Sequence, residues 1–273
     1  MSDLELDSGR ILNEGEEIYW ELASTGAGDN RPVVVLTHGA GGSHAIWYQQ
    51  VPALGQRFRV ITWDSRGFGN STCATGELSP ERAGSDLAAV LDHLEVQRAH
   101  LVGQSLGGWH INGFALAHPD RVLSLTYADT VGGMWTDELR AAMAEFAKAG
   151  GLGGGRTVPL VGGHRALWPG TAARDRAHAF LYQALGSFHS PPMHRLGEVT
   201  GWTIEHDQIA RLGVPTLFVA GTHDQIFPAP LLAASAALIP ARFVEIPGSG
   251  HSPYFEQPSV WNDAVLDFLD RTR

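Results

Sequence analysis

Ser105 stands in the stretch "LVGQSLGGWH" between an apolar run and a helix-compatible segment, with glycines two residues before and two after it. A side chain at so sharp a strand-to-helix turn is held in a strained backbone geometry, and the glycines give the neighbouring backbone room to close. Its hydroxyl then projects above the C-terminal edge of a sheet. Serine is a weak nucleophile at neutral pH and needs a base, which in turn needs an orienting acid. His251 in "IPGSGHSPYFEQP" and Asp224 in "FVAGTHDQIFP" each follow an apolar, strand-like run. The chain order Ser, Asp, His is one in which such a constellation occurs. A developing oxyanion also needs donors. In "LTHGAGGSH" the N–H of Ala40, after Gly39, can aim at the same place as the N–H of Leu106 at its helix N-terminus. His38, before Gly39, reads as a loop-fixing residue rather than a second base.

These residues need a scaffold that brings strand ends together, and the hydrophobic pattern describes one. "GRILNEGEEIYWELAS" alternates about a polar turn, as a β-hairpin does. "RPVVVLTHG", "FRVITWDSRG", "AHLVGQ", "RVLSLTYAD", "VPTLFVAGTHD" and "ARFVEIPGSGH" are continuous apolar runs, the pattern of strands buried on both faces. Between them lie helical patterns: "SHAIWYQQVPAL", residues near 79–95 and 105–118, "PAPLLAASAALI", and a last helix near 257–271. The alternation predicts βαβ units and a mostly parallel sheet of eight strands flanked by helices. It is interrupted after the sixth strand. Residues 132–205 form the expected insertion, a helical cap, on a core of 1–131 and 206–273. The insertion is rich in glycine and in large aromatics: Trp135, Phe146, Trp168, Phe180, Tyr182, Phe188 and Trp202. Most of these are expected to form its own small core, and a few to wall a pocket. Gly39, Trp109 at the pocket base, and Trp168, next to Pro169, are the residues expected to meet substrate. The clusters "GGLGGG" and "VGG" predict a cap that moves, and one whose removal leaves Ser105 reactive. "GGLGGGRT" has the spacing of a phosphate loop, but it follows a helical stretch and has Arg156 where lysine is required, so it reads as a hinge.

Composition narrows the ligand. A 273-residue chain with 44% hydrophobic residues can bury a substantial core. A formal charge of -10, with no basic cluster, speaks against nucleic acid and anionic membrane and for a small-molecule partner. The acidic start "MSDLELDSGR" lacks the features of a signal peptide, so a cytoplasmic location is expected. Cys73 is the sole cysteine, which excludes an internal disulfide. Among 13 histidines there is no H-E-x-x-H, and His164, His178, His189 and His194 lack a partnering carboxylate pattern, so no metal is expected. Neither a nicotinamide nor a flavin fingerprint is present, and no cofactor is expected. Oligomeric state is not encoded in any readable pattern.

The segments "HGAGG", "DSRGFGNS", "GQSLGG", "GTHDQIFP" and "GSGHSPYFEQP" occur in the order found in α/β-hydrolase fold proteins, which the chain resembles over nearly its full length. The resemblance implies Ser105 as nucleophile, His251 as base, Asp224 as acid, and Ala40 and Leu106 as oxyanion donors. It makes Asp64 and Arg66 loop anchors. The implied activity is a cofactor-independent serine hydrolase of the carboxylesterase or enol-lactonase type, cleaving an ester or lactone of a small, partly apolar molecule through an acyl-enzyme. A serine nucleophile removes the dehalogenases and epoxide hydrolases of this fold. Carbon–carbon bond hydrolases carry Trp after the histidine, where this chain has Ser252, although Arg165 could meet a substrate carboxylate. Cofactor-free dioxygenases share "GGW" after the elbow and place the acid where Asp129 stands. A non-catalytic ligand-binding protein of the same fold is the remaining alternative.

Overall fold

The structure, a computed structural model, describes residues 3–151, 164–187 and 189–272. Eight strands form one sheet: β1 (Glu5–Asn13), β2 (Glu16–Ser24), β3 (Val33–Thr37), β4 (Arg59–Trp63), β5 (Ala99–Gln104), β6 (Val122–Ala128), β7 (Thr216–Gly221) and β8 (Ala241–Ile246). Their order is β1-β2-β4-β3-β5-β6-β7-β8. Only the hairpin β1–β2 and the pair β2–β4 are antiparallel; β4 through β8 run parallel.

Side-chain alternation along a strand sends successive residues to opposite faces. Val33 and Val35 pack with Leu87, Leu91 and Phe114 of the helices Pro80–His93 and Gly107–Ala117. Val34 and Leu36 pack with Trp261, Val265 and Phe268 of the helix Pro258–Asp270. Both faces of the central strands are thus covered, which explains why they read as unbroken apolar runs. The stretch expected to be one helix over 43–54 is instead a 3-10 turn, His44–Trp47, and a single α-turn, Val51–Leu54. Pro52 has no N–H to bond back to Tyr48, and His44 is pulled aside by Asp64, which accepts its backbone N–H at 2.6 Å.

The β6–β7 connection contains the helices Asp137–Lys148, Pro169–Arg174 and Arg176–Leu185. Its two ends meet: Ile204 N–H donates to Gly133 O at 3.0 Å, and Trp109 Nε1–H donates to Trp202 O at 3.0 Å. Met134 and Ile204 are buried in the cluster beneath the sheet, so residues next to the expected boundaries at 132 and 205 belong physically with the core. Most of the two glycine clusters expected to act as hinges, together with Arg156 and Phe188, lie outside the described residues. Among the described residues no helix is long and apolar enough to cross a membrane.

Candidate active site

Ser105 has φ +49°, the left-handed region that a residue with a Cβ enters only under constraint. The constraint is visible on both sides. Ser105 N–H donates to Ala128 O at 3.0 Å, and Thr130 Oγ1 donates to Ser105 O at 2.6 Å, so the end of β6 grips the turn. Behind it the helix presses onto β3 so closely that a Cβ at Gly107 would lie 2.4 Å from Thr37 O. That contact, rather than flexibility, is why the second glycine of the motif is a glycine.

His251 and Asp224 stand on the loops after β8 and β7. His251 Nδ1 bonds Asp224 Oδ2 at 2.8 Å, with both residues buried. Asp224 Oδ1 accepts the N–H groups of Ile226 at 2.8 Å and Phe227 at 3.1 Å. With the proton on Nδ1, as the carboxylate partner requires, Nε2 is the ring atom left to accept a proton. Gln104, directly before the serine, donates through Nε2 to His251 O at 3.0 Å and fixes the histidine loop to the elbow. Phe227, whose ring lies 5.8 Å from that of His251, lines the same cavity as Ser105.

Asp129 is also here. It is fully buried, with φ +50°, and its Oδ1 accepts Gly221 N–H at 2.8 Å. Among the described residues its Oδ2 meets no hydrogen-bond donor, and Asp129, Asp224 and His251 each offer an atom within 4.8 Å of the others. Burial, and then the Asp224 carboxylate beside it, push the Asp129 carboxyl well above the usual carboxylate range. Asp224 is met by three donors and Asp129 by one. This is the one grouping of His, Cys, Asp and Glu among the described residues that could hold a metal ion. Within it His251 and Asp224 are joined directly at 2.8 Å.

Ala40 and Leu106 flank the serine, and neither amide finds a protein acceptor among the described residues, as donors kept for an oxyanion require. His38 is engaged at both nitrogens: Nδ1–H donates to Gly39 O at 2.8 Å and Nε2 accepts Ser65 N–H at 3.0 Å. Burial holds its pKa down, so it stays a neutral brace. Asp64 takes the backbone N–H groups of His44 and Asn70, and Arg66 grips Asp86 at 2.9 and 2.7 Å, so both act as loop anchors.

Two cavities adjoin Ala40. One, of about 270 Å³, contains Ser105 and is walled by Trp109, Trp135, Met143, Phe146, Leu196 and Phe227. The other, of about 300 Å³, is bordered by Gly39, the oxyanion loop, Gln104, His164, Tyr182 and Gln183. Gly39 borders the second of these cavities and Trp109 the first. Trp168 does not: its ring stacks on His223 at 5.0 Å, Arg174 covers it at 5.1 Å, and it borders neither cavity. Pro169 opens a helix there, which turns the indole away. Arg165 is likewise spoken for. It donates to Ala149 O and Gly151 O and lies over the Phe146 ring, so it is not positioned to meet a substrate carboxylate. His164, which burial and then the nearby His251 keep from protonating, borders the second cavity as a neutral donor.

Sequence reasoning passes over Glu256 and names Tyr182 only among the aromatics of the insertion; the two tie the β6–β7 connection to the histidine loop. A carboxylate in the apolar run "SPYFEQP" is the signal that was available for Glu256. For the cavity wall, Leu139, Met143 and Phe146 have helical spacing, and that stripe faces the serine rather than a separate core.

A family model described as alpha/beta hydrolase fold matches residues 32–151 and 157–258. Among curated proteins the chain is similar to 3-oxoadipate enol-lactonase 1 of Acinetobacter baylyi, at 27% identity over 201 residues, covering 72% of this chain and 73% of that one. Among solved structures it is similar to a thermophilic esterase from Thermogutta terrifontis, at 26% identity and a TM-score of 0.78, covering 97% of this chain and 99% of that one. It is also similar to an enzyme described as degrading N-acyl homoserine lactones, at 26% identity and a TM-score of 0.75, covering 95% and 100% of the two chains.

Proposed function

Since the chain belongs to the alpha/beta hydrolase fold family, we propose that it is a cofactor-independent serine hydrolase cleaving an ester or lactone of a small, partly apolar molecule. The observation that carries this reading is the His251–Asp224 pair at 2.8 Å, on a loop tied through His251 O to Gln104, the neighbour of a serine held at φ +49° beside two amides that meet no acceptor among the described residues. In the proposed cycle His251 Nε2 takes the Ser105 proton as Oγ attacks the carbonyl carbon. The N–H groups of Ala40 and Leu106 hold the oxyanion, and the imidazolium then protonates the leaving oxygen. Water, deprotonated by the same ring, releases the acid and restores the serine.

The two cavities suggest how substrate lies. The apolar one would grip a hydrocarbon portion, and the one edged by His164, Tyr182 and Gln183 a more polar portion, with the reacting carbonyl between them at Ala40. An enol-lactonase, an esterase and a homoserine lactone-degrading enzyme among the similar proteins support the ester or lactone class. The β6–β7 connection is proposed to serve as the cap that sets specificity.

A fluorophosphonate probe, with a panel of p-nitrophenyl esters and small lactones, tests the proposal. Wild-type protein is expected to label once and to turn over part of the panel. Ser105→Ala, which removes only the hydroxyl, should lose label and lower turnover on the order of 10⁴-fold or more. Hydrolysis persisting in a folded Ser105→Ala protein would end the assignment.

A further inference from the structure

Glu256 lies five residues beyond His251, in the short helix Pro253–Glu256. Its side chain is buried between two separate parts of the chain. One oxygen accepts Trp168 N–H at 2.7 Å and the Thr171 hydroxyl at 2.6 Å, both from the β6–β7 connection. The other accepts Gly250 N–H at 2.6 Å, one residue before the catalytic histidine. Contact between the two parts is close throughout. A Cβ at Gly250 would lie 2.6 Å from Trp168 N, so this loop accommodates the connection only as glycine. On either side of the clasp, Tyr182 shares a hydrogen bond with Ser252 at 2.8 Å, and Trp168 stacks on His223, the neighbour of Asp224.

We propose that Glu256 is a positioning residue: its ionised carboxylate holds the backbone at Gly250 against Trp168 and Thr171, so that one group sets both the catalytic imidazole and the wall above it. The proposal rests on the reading of His251 as the general base. A carboxylate can accept from all these donors at once, whereas a protonated carboxyl must donate its own O–H, for which the Thr171 hydroxyl is the one acceptor among the three partners. Loss of the proton therefore leaves a group that accepts from both parts of the chain and donates to neither.

The surroundings place that event near neutrality. Burial raises the Glu256 carboxyl to about 7; hydrogen bonds from Thr171, Gly250, Trp168 and Ser252 pull the other way without cancelling it. All four donors are neutral. The other ionisable groups about the clasp are Asp129, Tyr182, His178 against Phe255, His223 and Arg174 on either side of Trp168, and His251. Among the described residues no cation forms an ion pair with Glu256.

Steady-state kinetics with p-nitrophenyl acetate from pH 5 to 9, alongside end-point fluorophosphonate labelling, tests the proposal. The wild-type acid limb of kcat/KM should contain an ionisation near 7 in addition to that of His251. Glu256→Gln, which leaves one N–H without an acceptor at every pH, should lose that ionisation and lower kcat roughly ten- to a hundredfold with little change in KM, while saturating probe still labels Ser105. Thr171→Val removes one donor to the carboxylate and should move the limb to higher pH by about half a unit, a shift that loss of packing alone would not produce. A folded Thr171→Val protein with an unmoved limb, or Glu256→Gln with the wild-type rate and profile, would overturn the role of Glu256 alone. Wild-type protein that never labels would overturn the hydrolase reading and this role with it.

Discussion

Two carboxyl groups, Asp129 and Asp224, lie beside one imidazole, and their environments set them apart. Asp224 accepts two backbone N–H groups and the His251 ring, while Asp129 accepts a single N–H. Burial, and then the Asp224 carboxylate, favour the neutral form of Asp129, which carries an O–H. Asparagine at 129 presents an N–H donor in the same place, and Asp129→Asn should retain turnover within a few-fold. Asp224→Asn removes the charge that orients the ring and supports the imidazolium, and should cost on the order of 10⁴-fold in kcat. Comparison of the two variants on one p-nitrophenyl ester checks this ranking, and a reversed order would move the acid to the end of β6. Ser105, Asp224 and His251 were legible in the sequence because each follows an apolar strand run and the three fall in a known order. The ionisation of Asp129 was not, since it depends on which donors reach its second oxygen.

At the level of elements, the parallel strands and their helices were legible because burial on both faces and a single apolar face leave different periodicities. The 3-10 turn at His44–Trp47 was not, because a long-range bond from Asp64 decides it. A similar long-range tie governs the first hairpin. Glu16, fully buried at the start of β2, accepts hydrogen bonds from Thr72, Ala74 and Thr75 and so pins the loop after β4 to the sheet edge. Burial pushes its carboxyl up, but the bonds from Thr72 and Thr75 and from the Ala74 amide outweigh this and leave its pKa at about 2, below the ordinary 4.5. A depressed carboxylate contributes stability above its unfolded pKa and loses it as pH falls through the folded one, here between about 4.5 and 2. Glu256, raised to about 7, has the opposite sign: it favours the fold increasingly as pH falls from about 7 towards 4.5. Glu16→Gln should therefore destabilise the protein at pH 7 and flatten the fall in stability below pH 5. Urea unfolding at stepped pH measures both, and a variant with the wild-type acid slope would assign that slope elsewhere.

For the whole molecule the decisive question is whether the β6–β7 connection is a detachable lid. Its composition suggested one: glycine clusters between helical stretches, and aromatics that a lid's own small core could absorb. The structure describes something more deeply engaged. Phe146, Leu139, Leu196 and Val199 join Leu106, Trp109, Ile226 and Phe227 in one buried cluster beside Ser105, and Leu167, Ala172 and Ala179 belong to the cluster that covers one face of the sheet. Excision would expose at least four large apolar side chains of the core, each worth about 1.5–3 kcal/mol when buried. The sum is comparable to the whole stability of a typical domain, about 5–15 kcal/mol. Excision would also strip Glu256 of the Trp168 and Thr171 donors, leaving a buried carboxylate underbonded next to the catalytic histidine loop. Replacement of 132–205 by a short linker is therefore expected to remove probe labelling of Ser105 and sharply reduce soluble yield, contrary to the expectation from composition. A linker that spares Met134 and Ile204 should recover some yield, because those two residues belong to the core beneath the sheet, but little labelling. Soluble fraction and fluorophosphonate incorporation, measured for both excisions against wild type, separate the two effects. If either shortened chain is soluble and labels at the wild-type rate, the connection is a lid after all, and the sheet-edge loops alone hold Ser105, Asp224 and His251 in register.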